Sequence, residues 1–228
     1  MNGTPIHGVP LDGGLVKMAE LSARSGLPIA TIKYYQRENL LPGGVRSGPN
    51  QALYGGTHLD RIRLIRGLIE VGGLSVAVAR RVIEAIDSDL TLQETFEVAQ
   101  HAVSARIDPD HVTTAAFARV DELTAGWHVS PDNPGRVAAA RVVDTFADVG
   151  QTDARGWFSR YTAAALLAAE ADIDELDART DRAAKAETVV VGTVLGDTLF
   201  SALRRAAQEH VTAKRSGPPP PPGTAPAR

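Results

Sequence analysis

Ala30, Lys33, Tyr34 and Arg37 fall at i, i+3, i+4 and i+7, which places them on one face of a helix. That face offers two cations, a phenol and one small residue. Cations pair with phosphates or with guanine edges, the Tyr34 hydroxyl can bond a phosphate, and Ala30 lets a partner approach closely. Thr31 borders the same face. Ile32 and Tyr35 lie opposite, spaced to pack inward with Leu27. An ordinary solvated helix face has a similar composition, so the choice between the two rests on what surrounds it.

The surroundings read as a scaffold for that helix. Val16–Ser25 carries a short apolar stripe at Val16, Ala19, Leu21 and Ala23. Ser25-Gly26 closes it, glycine accepting the left-handed cap, and Pro28 suits the first turn of the next helix. A helix, a glycine turn and a second helix make a helix-turn-helix. After Leu40-Leu41-Pro42, the segment 43–56 holds two strand candidates about a Ser-Gly-Pro-Asn turn, a hairpin wing. Arg46 would sit at its edge or tip, reaching the flanking backbone or minor groove. Asn50 would support the turn through its own backbone, with a DNA contact second.

A third helix over Thr57–Gly67 turns Leu59, Ile62, Ile65 and Leu68 inward and leaves Arg61, Arg63 and Arg66 largely outside. Gly72-Gly73 breaks it, and Ser75 is the N-cap candidate for a helix over Val76–Ile86 that exposes Arg80 and Arg81. Five arginines on a second helical pair suit a second phosphate clamp, some of them simply solvated. The DNA-contact candidates are Ala30, Thr31, Lys33, Tyr34, Tyr35, Arg37, Arg46, Asn50, Tyr54, Arg61, Arg63 and Arg66. Tyr35 packs inward and Tyr54 closes the wing.

Charge is divided along the chain. The net charge is −3 over 228 residues. Residues 14–85 carry about +5 and residues 86–228 about −7. A basic unit suits a polyanion and an acidic one does not. Cysteine is absent, which excludes disulfides, thiolate metal sites and a cysteine nucleophile, and fits a reducing cytoplasm. No apolar run is expected to reach the ~20 residues of a membrane span, so no membrane partner is expected.

The string Thr31-Ile-Lys-Tyr-Tyr-Gln-Arg-Glu-Asn-Leu-Leu41, with a wing closing at Tyr54, resembles the N-terminal signature of the MerR family of regulators. Leu64–Val76 is similar to that family's second helix-turn-helix. Lys33 stands where the family has arginine, Gln36 where it has glutamate, and Asn39 where it has glycine. Asn also tolerates the left-handed conformation, whereas Lys33 lacks arginine's bidentate geometry. The resemblance implies a homodimer on an inverted repeat of double-stranded DNA within a promoter, with RNA polymerase as a further partner.

The rest of the chain reads as helical: a mainly α protein, with a winged helix-turn-helix followed by an all-α bundle. The expected divisions are a disordered leader (1–14), the DNA-binding domain (15–87), a connecting helix and linker (88–110), a dimerisation and effector domain (111–215) and a proline-rich disordered tail (216–228). Leu92–Val103 is short for a dimer seam before Pro109 stops it. The helix expected over 181–213, with Gly192 and Gly196 four apart, suits a bundle core and dimerisation. Trp127, Trp157, Phe158 and Tyr161 are candidates for an apolar effector site, with core or interface packing as the plainer role.

His101, His111 and His128 are too scattered for a metal site, and Asp172, Asp174, Glu175 and Asp177 lack calcium-loop spacing. No phosphate loop, metal-ligand helix or nucleophile elbow occurs. The expectation is therefore a cytoplasmic DNA-binding regulator without catalytic residues, metal or cofactor. A DNA-architectural or constitutive binder with no ligand is the alternative.

Overall fold

The computed structural model describes residues 14–48, 51–104 and 112–216. Asn50, the break at 107–110 with Pro109, His111, the proline-rich residues 217–228 and all but the last residue of the leader lie outside the described residues.

The first unit begins with β1 (Val16–Lys17), α1 (Met18–Ser25) and α2 (Ile29–Arg37). Gly26 closes α1 at φ 69°, the left-handed cap that its sequence position predicts. The wing is β2 (Val45–Gly48) and β3 (Gln51–Tyr54), antiparallel, with Val45 opposite Leu53 and Arg46 opposite Ala52. β1 pairs with the other edge of β3, Val16 opposite Tyr54, to give the order β1-β3-β2. Val16–Lys17 is therefore strand rather than the start of α1. Two residues show no alternation, and their conformation is set by the partner strand.

α3 (Gly56–Arg66) continues as a π-helical turn over Gly67–Val71, then α4 (Val76–Asp87) follows, with the Ser75 hydroxyl accepting the Val78 N–H at 3.3 Å. The π turn, closed by Gly72 N–H on the Gly67 carbonyl at 2.9 Å, carries the helix past the end expected at Gly67. α5 (Leu92–Ser104) lies across α4.

Leu21, Ile32, Leu40, Ile62, Ile65, Leu68, Val82 and Ile83 close one aliphatic core. Each such side chain contributes about 1.5–3 kcal/mol by leaving water. The core also includes Ala99 and Ala102 of α5 and Val190 and Val194 of α9 (Arg182–Ser216), so it runs across the division expected near residue 87. Gly72 marks the tightest approach: a Cβ there would stand 2.4 Å from Val194 Cγ1. α9 is long and apolar enough to cross a membrane by length and composition, a departure from the expectation of no such run. In the fold its Val189, Val190 and Val194 are buried.

α6 (Thr114–Leu123), α7 (Pro134–Asp148) and α8 (Trp157–Asp177) form a second helical group. Its buried cluster is small: Ala116, Val120 and Ala140, with Val112, Phe117 and Val143 against it. α7 touches α5, and Asn133 Nδ2 donates to Gln100 Oε1 at 2.9 Å across that contact.

Candidate nucleic-acid interface

α2 divides as its spacing predicts. Ile32 and Tyr35 enter the core, and Ala30, Lys33, Tyr34 and Arg37 are exposed. Thr31 is half-buried at the border. The Arg37 guanidinium lies 5.9 Å from the centre of the Tyr34 ring, an arrangement that steadies the cation while leaving its donors outward. Lys33 and Arg37 make no ion pair among the described residues.

The end of α2 is fixed so that this face is presented in one orientation. Asn39 takes φ 56°, and the Leu40 N–H donates to the Tyr35 carbonyl at 2.9 Å. Gln36 Nε2 donates to the Pro42 carbonyl at 3.2 Å, tying the helix to the chain entering the wing. His58 completes the joint. Its Nδ1 accepts the Gly55 N–H at 3.1 Å, so its Nε2–H faces the Gly43 carbonyl at 3.3 Å. The Tyr54 ring meets the imidazole edge-on at 5.2 Å. Gly44 admits no side chain, since a Cβ would lie 2.7 Å from the Leu53 carbonyl oxygen. His58 has no signal in periodicity or charge; only its place three residues after Gly55 marks it as a partner for an orphan N–H.

Arg46 stands exposed on β2, without an ion pair among the described residues. Tyr35 and Tyr54 are only 7% and 5% exposed, so both rings belong to the core. Burial raises the Tyr35 hydroxyl above the usual phenol range, and the negative charge of Glu70 adds to this.

Of the α3 arginines, Arg63 and Arg66 lie outside as expected and Arg61 does not. Arg61 is mostly buried rather than outside: it pairs with Asp87, its side chain 19% exposed, and joins α3 to the end of α4. Arg63 holds Asp60 at 2.9 Å. Arg66 makes two parallel hydrogen bonds to Glu70, each 2.9 Å, which hold that carboxylate below its usual range. Arg80 lies 3.7 Å from Glu38 and so connects α4 to the end of α2. Arg81 is exposed without an ion pair among the described residues. Among the described residues of this unit, the cations without an ion pair are thus Lys17 of β1, Lys33 and Arg37 of α2, Arg46 of the wing and Arg81 of α4.

The aromatic candidates in the second group separate. Trp127, Phe158 and Tyr161 line one apolar cleft of about 540 Å³ between α6, α7 and α8, with Phe146 and Val142. Trp157 lies outside that lining; it packs on Phe146 at 5.0 Å between ring centres. Carboxylates outside the lining tie α6 to α7. Asp144 accepts from the Thr113 hydroxyl at 2.6 Å and from its N–H at 2.7 Å, and Asp121 takes two bonds from Arg136 at 2.7 and 2.8 Å. These bonds hold both acids below the usual aspartate range. Burial works to raise Asp153, but the Phe158 N–H and Arg119 outweigh it and lower it.

An exposed cationic helix held by a turn, flanked by a β-hairpin and a second helical pair, defines a winged helix-turn-helix DNA-binding protein. Residues 16–86 match the family model described as MerR HTH family regulatory protein. The fold is similar to the crystal structure of SCO5550, a proposed transcriptional regulator from Streptomyces coelicolor A3(2), at 31% identity, 90% coverage of this chain, 99% of that chain and a TM-score of 0.65. No curated protein sequence matches the chain. The chain belongs to the MerR family: it is a DNA-binding transcriptional regulator, from a family that is not enzymatic.

Proposed function

We propose that this regulator acts in the cytoplasm as a homodimer that selects an inverted-repeat operator, meets RNA polymerase there, and responds to a small molecule. The observation that carries the DNA-reading part is the exposure of Lys33, Tyr34 and Arg37 on one face of α2, with Arg46 exposed on the adjoining wing. Phosphate contacts by such cations orient a protein on the duplex, and groove contacts from the same helix choose the sequence. Arg63 and Arg66 already hold carboxylates, so the second clamp depends more on Arg81 than on them.

Pairing of two copies is supported by apolar side chains that one chain leaves uncovered. Leu166, Leu167 and Ile173 on α8, and Leu199, Phe200 and Leu203 on α9, are all exposed. Exposed apolar residues on neighbouring helices suit a two-fold, self-complementary contact. α5 is less suited to pair copies, because α9 of the same chain packs along it.

A nuclease footprint on the DNA flanking the gene, with light scattering for mass, tests this reading. The expected result is two protected half-sites related by a dyad and a mass of two chains. A single half-site bound by a monomer would refute the dimeric reading.

A further inference from the structure

The apolar cleft between α6, α7 and α8 is unusual for what its polar neighbours do. The Thr124 hydroxyl donates to the Val120 carbonyl at 2.9 Å, and the Thr162 hydroxyl donates to the Phe158 carbonyl at 3.1 Å. Asn133 caps α7 through Oδ1 and reaches Gln100 through Nδ2. Arg136 is neutralised by Asp121 and also donates to the Pro131 carbonyl at 2.9 Å. The Tyr161 hydroxyl accepts from Arg204 at 3.0 Å and keeps its own proton free to donate. The lining therefore offers mainly aliphatic and aromatic contact, with the Tyr161 hydroxyl as a hydrogen-bond donor at its edge, and its one charged residue, Arg136, is neutralised by Asp121.

The space is there because the residues facing it are small or stand apart. Ala138, Ala139 and Ala165 line it, while Trp127, Phe146 and Phe158 supply ring faces. The Asp144–Thr113, Asp121–Arg136 and Asp153–Arg119 contacts hold the helices at that separation without filling it. A concave apolar site of about 540 Å³ falls within the size of small-molecule sites, roughly 300–1,000 Å³. A charged ligand would be desolvated here with nothing to compensate it.

We propose that this cleft binds a neutral, ring-containing apolar molecule with at most one hydrogen-bond acceptor, and that the Asn133–Gln100 contact passes its occupancy to the DNA-binding unit. The proposal rests on the ligand-responsive reading above. Asn133 begins α7, whose side chains line the cleft, and Gln100 belongs to α5, which packs on α4. A ligand that favours one placement of α7 thereby favours one placement of α5 against the second helical pair.

The test uses the full chain and the neutral fluorophore N-phenyl-1-naphthylamine, with DNA affinity measured on the footprinted operator. Saturable binding is expected, weakened about tenfold or more by Ala139→Phe, which puts a ring into the cleft. An anionic anilinonaphthalene sulfonate should bind more weakly than the neutral probe. Saturation with probe should change operator affinity, and Gln100→Ala, which removes the same contact from the α5 side and lies outside the cleft lining, should abolish that change while leaving probe binding intact.

Absence of saturable binding, or binding insensitive to Ala139→Phe, overturns the site. Binding lost instead in Leu167→Ala with Leu203→Ala would place the probe on the exposed α8–α9 stripes and overturn it too. Binding that requires deletion of residues 217–228 would make the chain's own tail the occupant, with the same consequence. Probe binding without any effect on operator affinity overturns the coupling. Operator binding by the probe-free protein is a separate readout, so loss of this proposal leaves the DNA-reading function standing.

Discussion

Around α1–α5 the chain closes on a continuous aliphatic core in which Ile32, Ile65, Leu68, Ala79 and Val82 are fully buried, whereas around α6–α8 the buried cluster consists of Ala116, Val120 and Ala140. The first region holds its shape by packing. The second is fastened at its edges by Asp144 on Thr113, Asp121 on Arg136 and Asp153 on Arg119, with an apolar hollow left inside. Dense packing resists deformation and suits a helix face that must meet DNA in one orientation. Polar fastening around a hollow leaves apolar surface that a ligand can cover.

The contrast breaks most directly in the core. Ile65→Ala should cost about 2–5 kcal/mol of stability, while Val142→Ala, half-exposed on the cleft wall, should change it by less than about 0.5 kcal/mol. Denaturant unfolding measures both, and similar losses would show that the two regions are packed alike. Gly72→Ala comes next. Its Cβ would collide with Val194, an overpacking cost of about 1–3 kcal/mol, and adding Val194→Ala should recover part of it. Failure of that rescue would mean α9 does not bear on the second helical pair in this way.

Asn39→Ala is smaller, about 1–2 kcal/mol, because alanine is strained at φ 56°, whereas Asn39→Gly should be near neutral. The smallest effect at neutral pH, and one that sharpens the comparison, is acid sensitivity. Asp121 and Asp144 have folded values below the ordinary aspartate value, so the stability they contribute is complete above it and is lost as pH falls through their folded values. Asp172 and Asp197 oppose this at α8 and α9. Burial raises both, with Asp172 adding to the effect at Asp197, so protonation there favours the fold. The only two tryptophans, Trp127 and Trp157, lie in the α6–α8 region. Their fluorescence should therefore change at higher pH than the far-ultraviolet ellipticity, and Asp144→Asn, which lacks the carboxylate's contribution at every pH, should widen the gap. Coincident transitions would argue for a single cooperative unit.

What the sequence made legible follows local rules. The two faces of α2, the Gly26 and Ser75 caps, the left-handed Asn39 and the hairpin wing each depend on a few neighbouring residues. The features it concealed depend on partners distant in the chain. β1 is a strand only because β3 lies beside it. Arg61 looks like one more exposed cation until Asp87, at the end of another helix, meets it. His58 acquires its role from Gly43 across the wing. Val190 and Val194 read as the start of a bundle helix, yet they complete the N-terminal core, because nothing local in an apolar run tells which surface it will cover. The cleft was visible as a scatter of aromatics, but Trp157 could not be separated from Trp127, Phe158 and Tyr161 without the helix placement.

The unpaired cations of α2 are the groups on which DNA reading most depends. Fluorescence anisotropy on the footprinted operator, at one fixed low salt concentration, should show Lys33→Ala and Arg37→Ala each weakening binding about tenfold or more, with Arg63→Ala, whose guanidinium already holds Asp60, changing it much less. Unchanged affinity in both α2 variants, or a dominant loss in Arg63→Ala, would contradict the assignment of α2 as the helix that meets the duplex.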